Sequence, residues 1–420
     1  MQDIISIILS PISLTILMLM LVYYLYYLIH SLTLLAQWPV GIGDHKNPED
    51  RYELWLMIPA LNEEPVIQKT VTSLKEATGR MPSNIKCHVL VIDDDSDDGT
   101  FLKSAALTTT IRTPKETSRT GKGAVLNYGI QYIMGNHDRT VRPDHIIIGV
   151  MDADGFMTKD SLMWVMRSFA YHDVDMVQTA VRMHRTTSLL QKSQEYDFGE
   201  SNRKQQLLRS RYGQGIASGN GQFVTLELAV DVKWGNALLE DMEFTIRAWL
   251  RGYKTMFIDQ AIVYQEAVRS VRAYTRQRTR WCMGGLQCAR YLPSIWTSSN
   301  ITVMQKISMT TGIIGPLAAP PIWIGNLLTF IAQVALIIVT GNFIFLSGLL
   351  GIWLVLQLAG AFDYRMYTRR HRNSMNYLTS LVSALSFQAC NFTLNSIIPL
   401  MAIIRLAMGK VSWSKTLHGQ

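Results

Sequence analysis

Carboxylates crowd three short stretches of this sequence, each at a spacing that chemistry can use. The densest is Asp93-Asp94-Asp95-Ser96-Asp97-Asp98-Gly99-Thr100. A calcium loop of the EF-hand kind needs Gly at its sixth position and Glu at its twelfth. Counted from Asp93, those places hold Asp98 and Ser104, so that chemistry is excluded. A solvated turn capping a helix is the plain alternative. Asp152-Ala153-Asp154 sets two carboxylates one residue apart, a spacing that can grip a hard divalent cation. Such a cation neutralises a diphosphate and helps it leave, although a bare DxD is common. Glu240-Asp241 lies among apolar residues in LLEDMEF. Burial there would raise a carboxyl pKa toward the range of a general base. The alternative is a helix N-terminal acid that favours the macrodipole.

Two basic features accompany the acids. Gly121-Lys122-Gly123 is no P-loop, because Glu116 and Gly123 stand where Gly and Ser or Thr are required. The lysine, just ahead of a helical stretch, meets a phosphate as a point charge or else lies on the surface. Gln277-Arg278-Thr279-Arg280-Trp281 follows Arg269, Arg272 and Arg276. A solvated or lipid-facing face is the ordinary meaning of such a run, and the charge alone would admit nucleic acid. A nucleic-acid reader has no need of long apolar runs immediately downstream, so nucleic acid is set aside as a partner. A Trp beside paired Arg better suits sugar stacking and phosphate binding.

The elements around these residues alternate. Glu53 to Pro59 and His88 to Ile92 read as strands, as does His145 to Met151, while Glu64 to Ala77 and Lys122 to Met134 read as helices. That alternation predicts an α/β domain built on a mostly parallel sheet covered on both faces. Ligands of such sheets collect beyond the carboxyl ends of the strands. Asn62-Glu63-Glu64, Asp93 to Asp98 and Asp152 to Asp154 all fall there.

Lys and Arg number 40 against 32 Asp and Glu, a formal charge of +8. None of these residues falls within 4–29, 307–362 or 373–404. This excludes both a simple soluble enzyme and a pure helix bundle of the membrane. A span needs about 20 apolar residues. Ile4 to Ile29 fits a retained anchor, with an interfacial belt at Tyr23, Tyr24, Tyr26 and Tyr27 and no basic n-region of a signal peptide. Residues 307–362 would reach about 84 Å as one helix. Breaks at Pro316, Pro320 and Pro321 predict an interfacial helix, then spans near 322–340 and 343–362. The basic loop Arg365, Arg369, Arg370, His371 and Arg372 sets the cytosolic side. The stretch 373–404 is open between one tilted helix, a re-entrant hairpin broken near Asn391–Asn395 and an interfacial tail after Pro399. Cys87, Cys282, Cys288 and Cys390 have no CxxC spacing, and free thiols are expected.

In this order, PALNEE (59–64), VIDDDSDDGT (91–100), GKGAVLN (121–127), MDADG (151–155), SGNGQF (218–223), LLED (238–241) and QRTRW (277–281) resemble the membrane-bound family 2 glycosyltransferases. That group includes cellulose, chitin, hyaluronan and poly-N-acetylglucosamine synthases. The resemblance runs from Trp55 to Trp281 and into the apolar segments. It implies a GT-A fold, Rossmann-like with a mostly parallel sheet, that uses a nucleotide-diphosphate sugar. The nucleotide side would comprise Glu63, Asp94 (at the uracil), Lys122 and Asp152. Asp152 and Asp154 would hold Mg2+ or Mn2+, and Asp241 would be the catalytic base. Gln277, Arg278, Arg280 and Trp281 would hold the diphosphate and floor the acceptor site. Two departures stand out: the Arg often found shortly after SGNGQF is absent, and Asp95 replaces the usual Gly after the paired Asp.

The organisation expected is an anchor over 1–36, a cytosolic GT-A domain over 45–300, interfacial and transmembrane helices over 301–406, and a tail over 407–420. The function expected is inverting transfer, from a UDP-sugar, to a growing β-linked polysaccharide at the plasma membrane. Its partners are then the nucleotide-sugar donor, a polysaccharide or lipid acceptor and membrane lipid. The alternative is single transfer to a lipid, as ceramide glucosyltransferases perform. About four countable spans are few for a polymer channel in one monomer, which keeps both that alternative and a homo-oligomer open. A binding protein with a decayed site is the third reading, and the complete set of carboxylates speaks against it.

Overall fold

A computed structural model describes residues 50–210, 214–340 and 397–409. In chain order its strands are β1 (Tyr52–Ala60), β2 (Ile85–Asp93), β3 (Thr109–Arg112), β4 (Ile146–Val150), β5 (Phe156–Met157), β6 (Met176–His184), β7 (Gln222–Thr225) and β8 (Thr255–Glu266). The helices of the first half are α1 (Ile67–Thr78), α2 (Thr100–Ala105), α3 (Lys122–Asn136), α4 (Lys159–Tyr171), α5 (Leu189–Tyr196) and α6 (Arg203–Ser210). A π-helical turn, Asp197–Asn202, joins the last two. Then come α7 (Leu226–Val232), α8 (Glu240–Leu250), α9 (Val271–Gln287), α10 (Leu292–Thr297) and α11 (Val303–Thr340).

The strands form one sheet in the order β3-β2-β1-β4-β7-β6-β8-β5. β1, β2, β3 and β4 run parallel, β7 lies antiparallel between β4 and β6, and β8 is parallel to β6. β1 explains why the sheet is covered twice. Its sequence YELWLMIPA is buried almost throughout, and a strand apolar on both sides needs cover on both faces. Leu54, Leu56 and Ile58 pack with Ile67, Val71 and Leu74 of α1 and with Leu162 and Val165 of α4. Trp55 and Met57 turn the other way, onto Val125, Leu126, Ile130 and Ile133 of α3 and Phe244 of α8. A third cluster joins the back of α8 (Met242, Ile246, Trp249) to Cys288, Ile295, Met309 and Ile313.

The register decides where chemistry can occur. Ala60 pairs with Asp93 across β1 and β2, and Met57 pairs with Val150 across β1 and β4. The loops after these three strands therefore leave the sheet at one edge. β7 runs the opposite way and pairs Gln222 with Val150, so the loop that precedes it, Ser218 to Gly221, reaches the same edge.

Several expectations need correction. α1 begins at Ile67 rather than Glu64, because the Glu63 carbonyl accepts from Val66 N and Ile67 N in a turn around Pro65, while the Glu64 carboxylate accepts from Gly99 N at 3.0 Å. β4 begins at Ile146, after a 3-10 turn over Pro143–His145. The expected break at Pro316, Pro320 and Pro321 does not occur, since all three lie inside the continuous helix α11. Each proline lacks the N–H that would bond four residues back, and the helix nonetheless continues past all three.

The described residues divide into two compact units, one within 50–313 together with Gly409 and one of 314–340 with 397–408. Among the described residues, no helix is long and apolar enough to cross a membrane, so the span expected near 322–340 is without support there. The anchor expected at 4–29, the span at 343–362, the basic loop and 373–396 lie outside the described residues. Cys87, Cys282 and Cys288 are free thiols, and Cys390 lies outside the described residues.

Candidate active site

The loops at the carboxyl edge are held together before any ligand is considered. Asn62 N donates to Ser96 Oγ at 2.9 Å, and Glu63 N donates to Thr100 Oγ1 at 2.7 Å. Asp97 N returns a bond to Asn62 Oδ1 at 2.8 Å. Asp94 is buried and accepts from Thr113 Oγ1 at 2.9 Å and from Arg119 N at 3.0 Å. Burial pushes its carboxyl above the usual range, with those two bonds acting against the shift. Asp95 has φ +60°, which accounts for the departure noted in the sequence. The turn needs a left-handed residue there, and Asp tolerates that conformation better than most side chains.

The next layer is built around Lys122, at the start of α3. Its Nζ lies 2.6 Å from Asp152 Oδ1, 3.3 Å from the Gly219 carbonyl and 3.6 Å from Glu240 Oε1. Burial works against the lysine's charge, yet Asp152, Glu240 and Asp241 together outweigh it and raise the pKa. Asp241, only 6% exposed, sits in the first turn of α8. Its Oδ1 accepts from Met242 N at 2.7 Å. Burial first, and then the neighbouring Glu240, push its carboxyl up to about 7, with Lys122 pulling the other way. Gly219 has φ +75°, and a Cβ there would lie 3.1 Å from Asp241 Oδ2 and 3.5 Å from Lys122 Nζ. A side chain at 219 would crowd the Asp241 carboxyl and strain the backbone. Asn220 ties the same loop to the paired acids, since its Oδ1 accepts from Asp152 N at 3.2 Å.

Asp154 Oδ2 accepts from Glu266 N at 3.0 Å. Among the described residues, no group of three or more His, Cys, Asp or Glu side chains could hold a metal alone. Asp152 and Asp154 fit an ion that takes its other ligands from phosphate oxygens and water, which is how Mg2+ is usually held.

The far wall comes from α9 and the π turn. Arg278 pairs with Asp197, and its guanidinium lies 4.9 to 5.3 Å from the ring centres of Trp281, Tyr274 and Phe198. Phe198 meets Trp281 edge-on at 5.9 Å. The charge of Arg278 is thus engaged within the protein, bracing the tryptophan.

A single cavity of about 450 Å³ unites these parts. Its walls include Glu63, Asp94, Lys122, Asp152, Asp154, Asp241, Gln277, Arg278, Arg280 and Trp281, which is every site residue expected from the sequence.

Comparisons with known proteins fit this fold. The pattern described as glycosyltransferase like family 2 matches residues 51–284, more than half of the chain. The chain belongs to that family. It is 29% identical over 249 residues to the β-monoglucosyldiacylglycerol synthase of Synechocystis sp., covering 57% of this chain and 49% of that protein. It is 25% identical over 289 residues to a probable glucomannan 4-β-mannosyltransferase of Oryza sativa, covering 64% and 47%. The chain thus spans about half the length of these curated relatives. Among solved structures, a mannosyltransferase from Pyrobaculum calidifontis in complex with GDP-Man and Mn2+ aligns over 89% of this chain and 97% of its own. The TM-score is 0.57 at 17% identity, a likeness of fold.

This family 2 chain also brings to the cavity residues that its sequence did not signal. Asp197, Phe198, Asn202, Gln205, Gln206 and Arg209 also line it. Gln206 receives Ile216 N at 3.1 Å and donates to the Ile216 carbonyl at 2.6 Å, which fixes the extended segment entering the Ser218 loop. Polar residues three and four apart on a helix read as a solvated face, so their spacing carries no signal. Glu240 was visible only as the neighbour of Asp241.

Proposed function

We propose that this chain transfers a sugar, with inversion, from a nucleotide-diphosphate donor to a hydroxyl acceptor. The observation that carries the reading is the meeting of a buried, proton-accepting Asp241 with Lys122 and the Asp152/Asp154 pair around one cavity. Asp94 and Glu63 would receive the nucleoside, and Lys122, once released from Asp152, would meet a phosphate oxygen. Asp152 and Asp154 would hold Mg2+ or Mn2+. When bound, that cation offsets the negative charge of the diphosphate.

Asp241 takes the proton of the acceptor hydroxyl. The acceptor oxygen forms its bond to the anomeric carbon as the bond from that carbon to the phosphate oxygen breaks, and the electron pair leaves with the diphosphate. One displacement inverts the carbon, so an α-linked donor gives a β-linked product. Trp281, braced by Arg278, offers an apolar face on which a sugar ring can lie. Gln277 and Arg280 would complete the diphosphate and acceptor contacts.

The acceptor proposed first is a growing β-linked polysaccharide, which the QRTRW segment and the likeness to a glucomannan mannosyltransferase support. Single transfer to a lipid is the second reading, favoured by the likeness to a glucosyldiacylglycerol synthase. Under both, the catalytic domain faces the cytosol at the plasma membrane. The test offers the full chain UDP-glucose, UDP-N-acetylglucosamine and GDP-mannose with Mn2+, diacylglycerol vesicles and oligosaccharide primers, and weighs the products by mass spectrometry. A ladder of products supports elongation, and a single added sugar on lipid supports the second reading. Release of nucleoside diphosphate with no new glycosidic bond contradicts transfer altogether.

A further inference from the structure

Glu243 has no part in the chemistry above, yet it is among the most completely enclosed charges of the domain, at 1% exposure. It lies two residues beyond Asp241 on α8. Its Oε2 accepts from Ala237 N at 2.8 Å. Its Oε1 accepts from the Tyr291 hydroxyl at 2.7 Å and pairs with the Arg290 guanidinium. Burial opposes its charge, but the Tyr291 hydroxyl, the Ala237 amide and Arg290 hold its carboxyl below the usual range. The loop it grips is shaped around it, because a Cβ at Gly235 would fall 2.1 Å from Glu243 Oε2.

These partners belong to two structures that must agree. Ala237 lies in the loop that delivers Asp241 to the cavity. Arg290 and Tyr291 lie in the 3-10 turn Cys288–Tyr291 that continues α9, the helix that carries Gln277 to Trp281. The same junction is closed twice more. Leu238 N donates to Gln287 Oε1 at 2.8 Å, and a Cβ at Gly284 would lie 2.3 Å from Leu239 N. A base and a stacking surface on separate helices are useful only at a fixed separation, since a misplacement of about 1 Å costs on the order of a hundredfold in rate.

We propose that Glu243 is a positioning residue, a buried clamp that fixes the Asp241-bearing turn against the helix carrying Gln277 to Trp281. The inference rests on the reading of Asp241 as the base. The experiment measures kcat, donor KM, nucleoside diphosphate affinity and melting temperature for Glu243→Ala, Glu243→Gln and Tyr291→Phe beside Asp241→Asn, all in the full chain.

Glu243→Ala is expected to lower kcat about a hundredfold while KM and nucleotide affinity stay within about twofold. Glu243→Gln keeps an acceptor for the Ala237 amide but loses the charge, and falls between Ala and the parent. Tyr291→Phe removes one bond at the rim, leaves folding intact and lowers kcat several-fold in the same pattern. Unchanged kcat in Glu243→Gln and Tyr291→Phe, with Asp241→Asn inactive, overturns the clamp and leaves the base standing. Parallel losses of nucleotide affinity and kcat overturn it too, by marking Glu243 as merely structural. Normal turnover in Asp241→Asn removes the base itself, and the clamp with it.

Discussion

The sheet buries carboxylates at both of its edges and treats them in opposite ways. At the amino edge Glu53 is fully enclosed, 2.8 Å from His88 Nε2 and accepting from Asp138 N at 2.8 Å. Trp55 stacks on the same His88 at 4.0 Å. Burial opposes the charge of Glu53, but His88 and the Asp138 amide more than compensate and lower its pKa. At the carboxyl edge Asp241 has one amide bond and acidic neighbours, and its pKa is raised. Both carboxylates are buried, and the stronger pairing of Glu53 separates a carboxylate that holds the fold from one poised to accept a proton.

The largest effect that would break this contrast is on turnover. Asp241→Asn should lower kcat by about a thousandfold or more, within the span of general-base contributions, and leave nucleotide affinity nearly unchanged in calorimetry. Glu53→Gln should leave both untouched. Next, Asp154→Ala should weaken Mn2+-dependent nucleotide binding by roughly tenfold to a hundredfold. Affinity that keeps its metal dependence would remove Asp154 from the site.

Stability should then divide by sign. Glu53→Gln should cost about 1 to 3 kcal/mol in denaturant unfolding at neutral pH, as expected when a buried hydrogen-bonding partner is lost. Because its folded pKa is lowered, the stability Glu53 contributes is present above its ordinary value of 4.5 and is lost as pH falls through the folded value. Asp241 runs the other way. Its raised pKa contributes stability below its ordinary 3.8 that is lost as pH rises through about 7. Asp241→Asn should therefore melt a few degrees above the parent at pH 8, with the difference shrinking toward pH 4. A lower melting temperature at pH 8 would contradict the origin given for the shift.

The same contrast shows what the sequence could reveal. β1, β2 and β4 announce themselves as apolar runs closed by acids, and parallel pairing then brings those acids to one edge. The departure at Asp95 was visible, but its meaning needed the φ of the turn. The wall from Asp197 to Arg209 was not legible, because its partners are distant: Arg278 meets Asp197 across 81 positions. β7 was missed for a related reason. It has only four residues, QFVT, and nothing local fixes its reversed direction, although that reversal carries the Ser218 loop to the site. Helix α11 shows the limit of punctuation, since its three prolines read as breaks and the helix continues through them.

The pH dependence of kcat/KM for the donor tests the central claim most directly, because it reads the protonation of the base in the free enzyme. The account predicts a single acid limb, rising about tenfold per pH unit and levelling near pH 7, and it predicts that Lys122→Met moves the limb upward by removing the charge that favours ionised Asp241. A profile flat from pH 5 to 9, or a limb that Lys122→Met leaves in place, would contradict it.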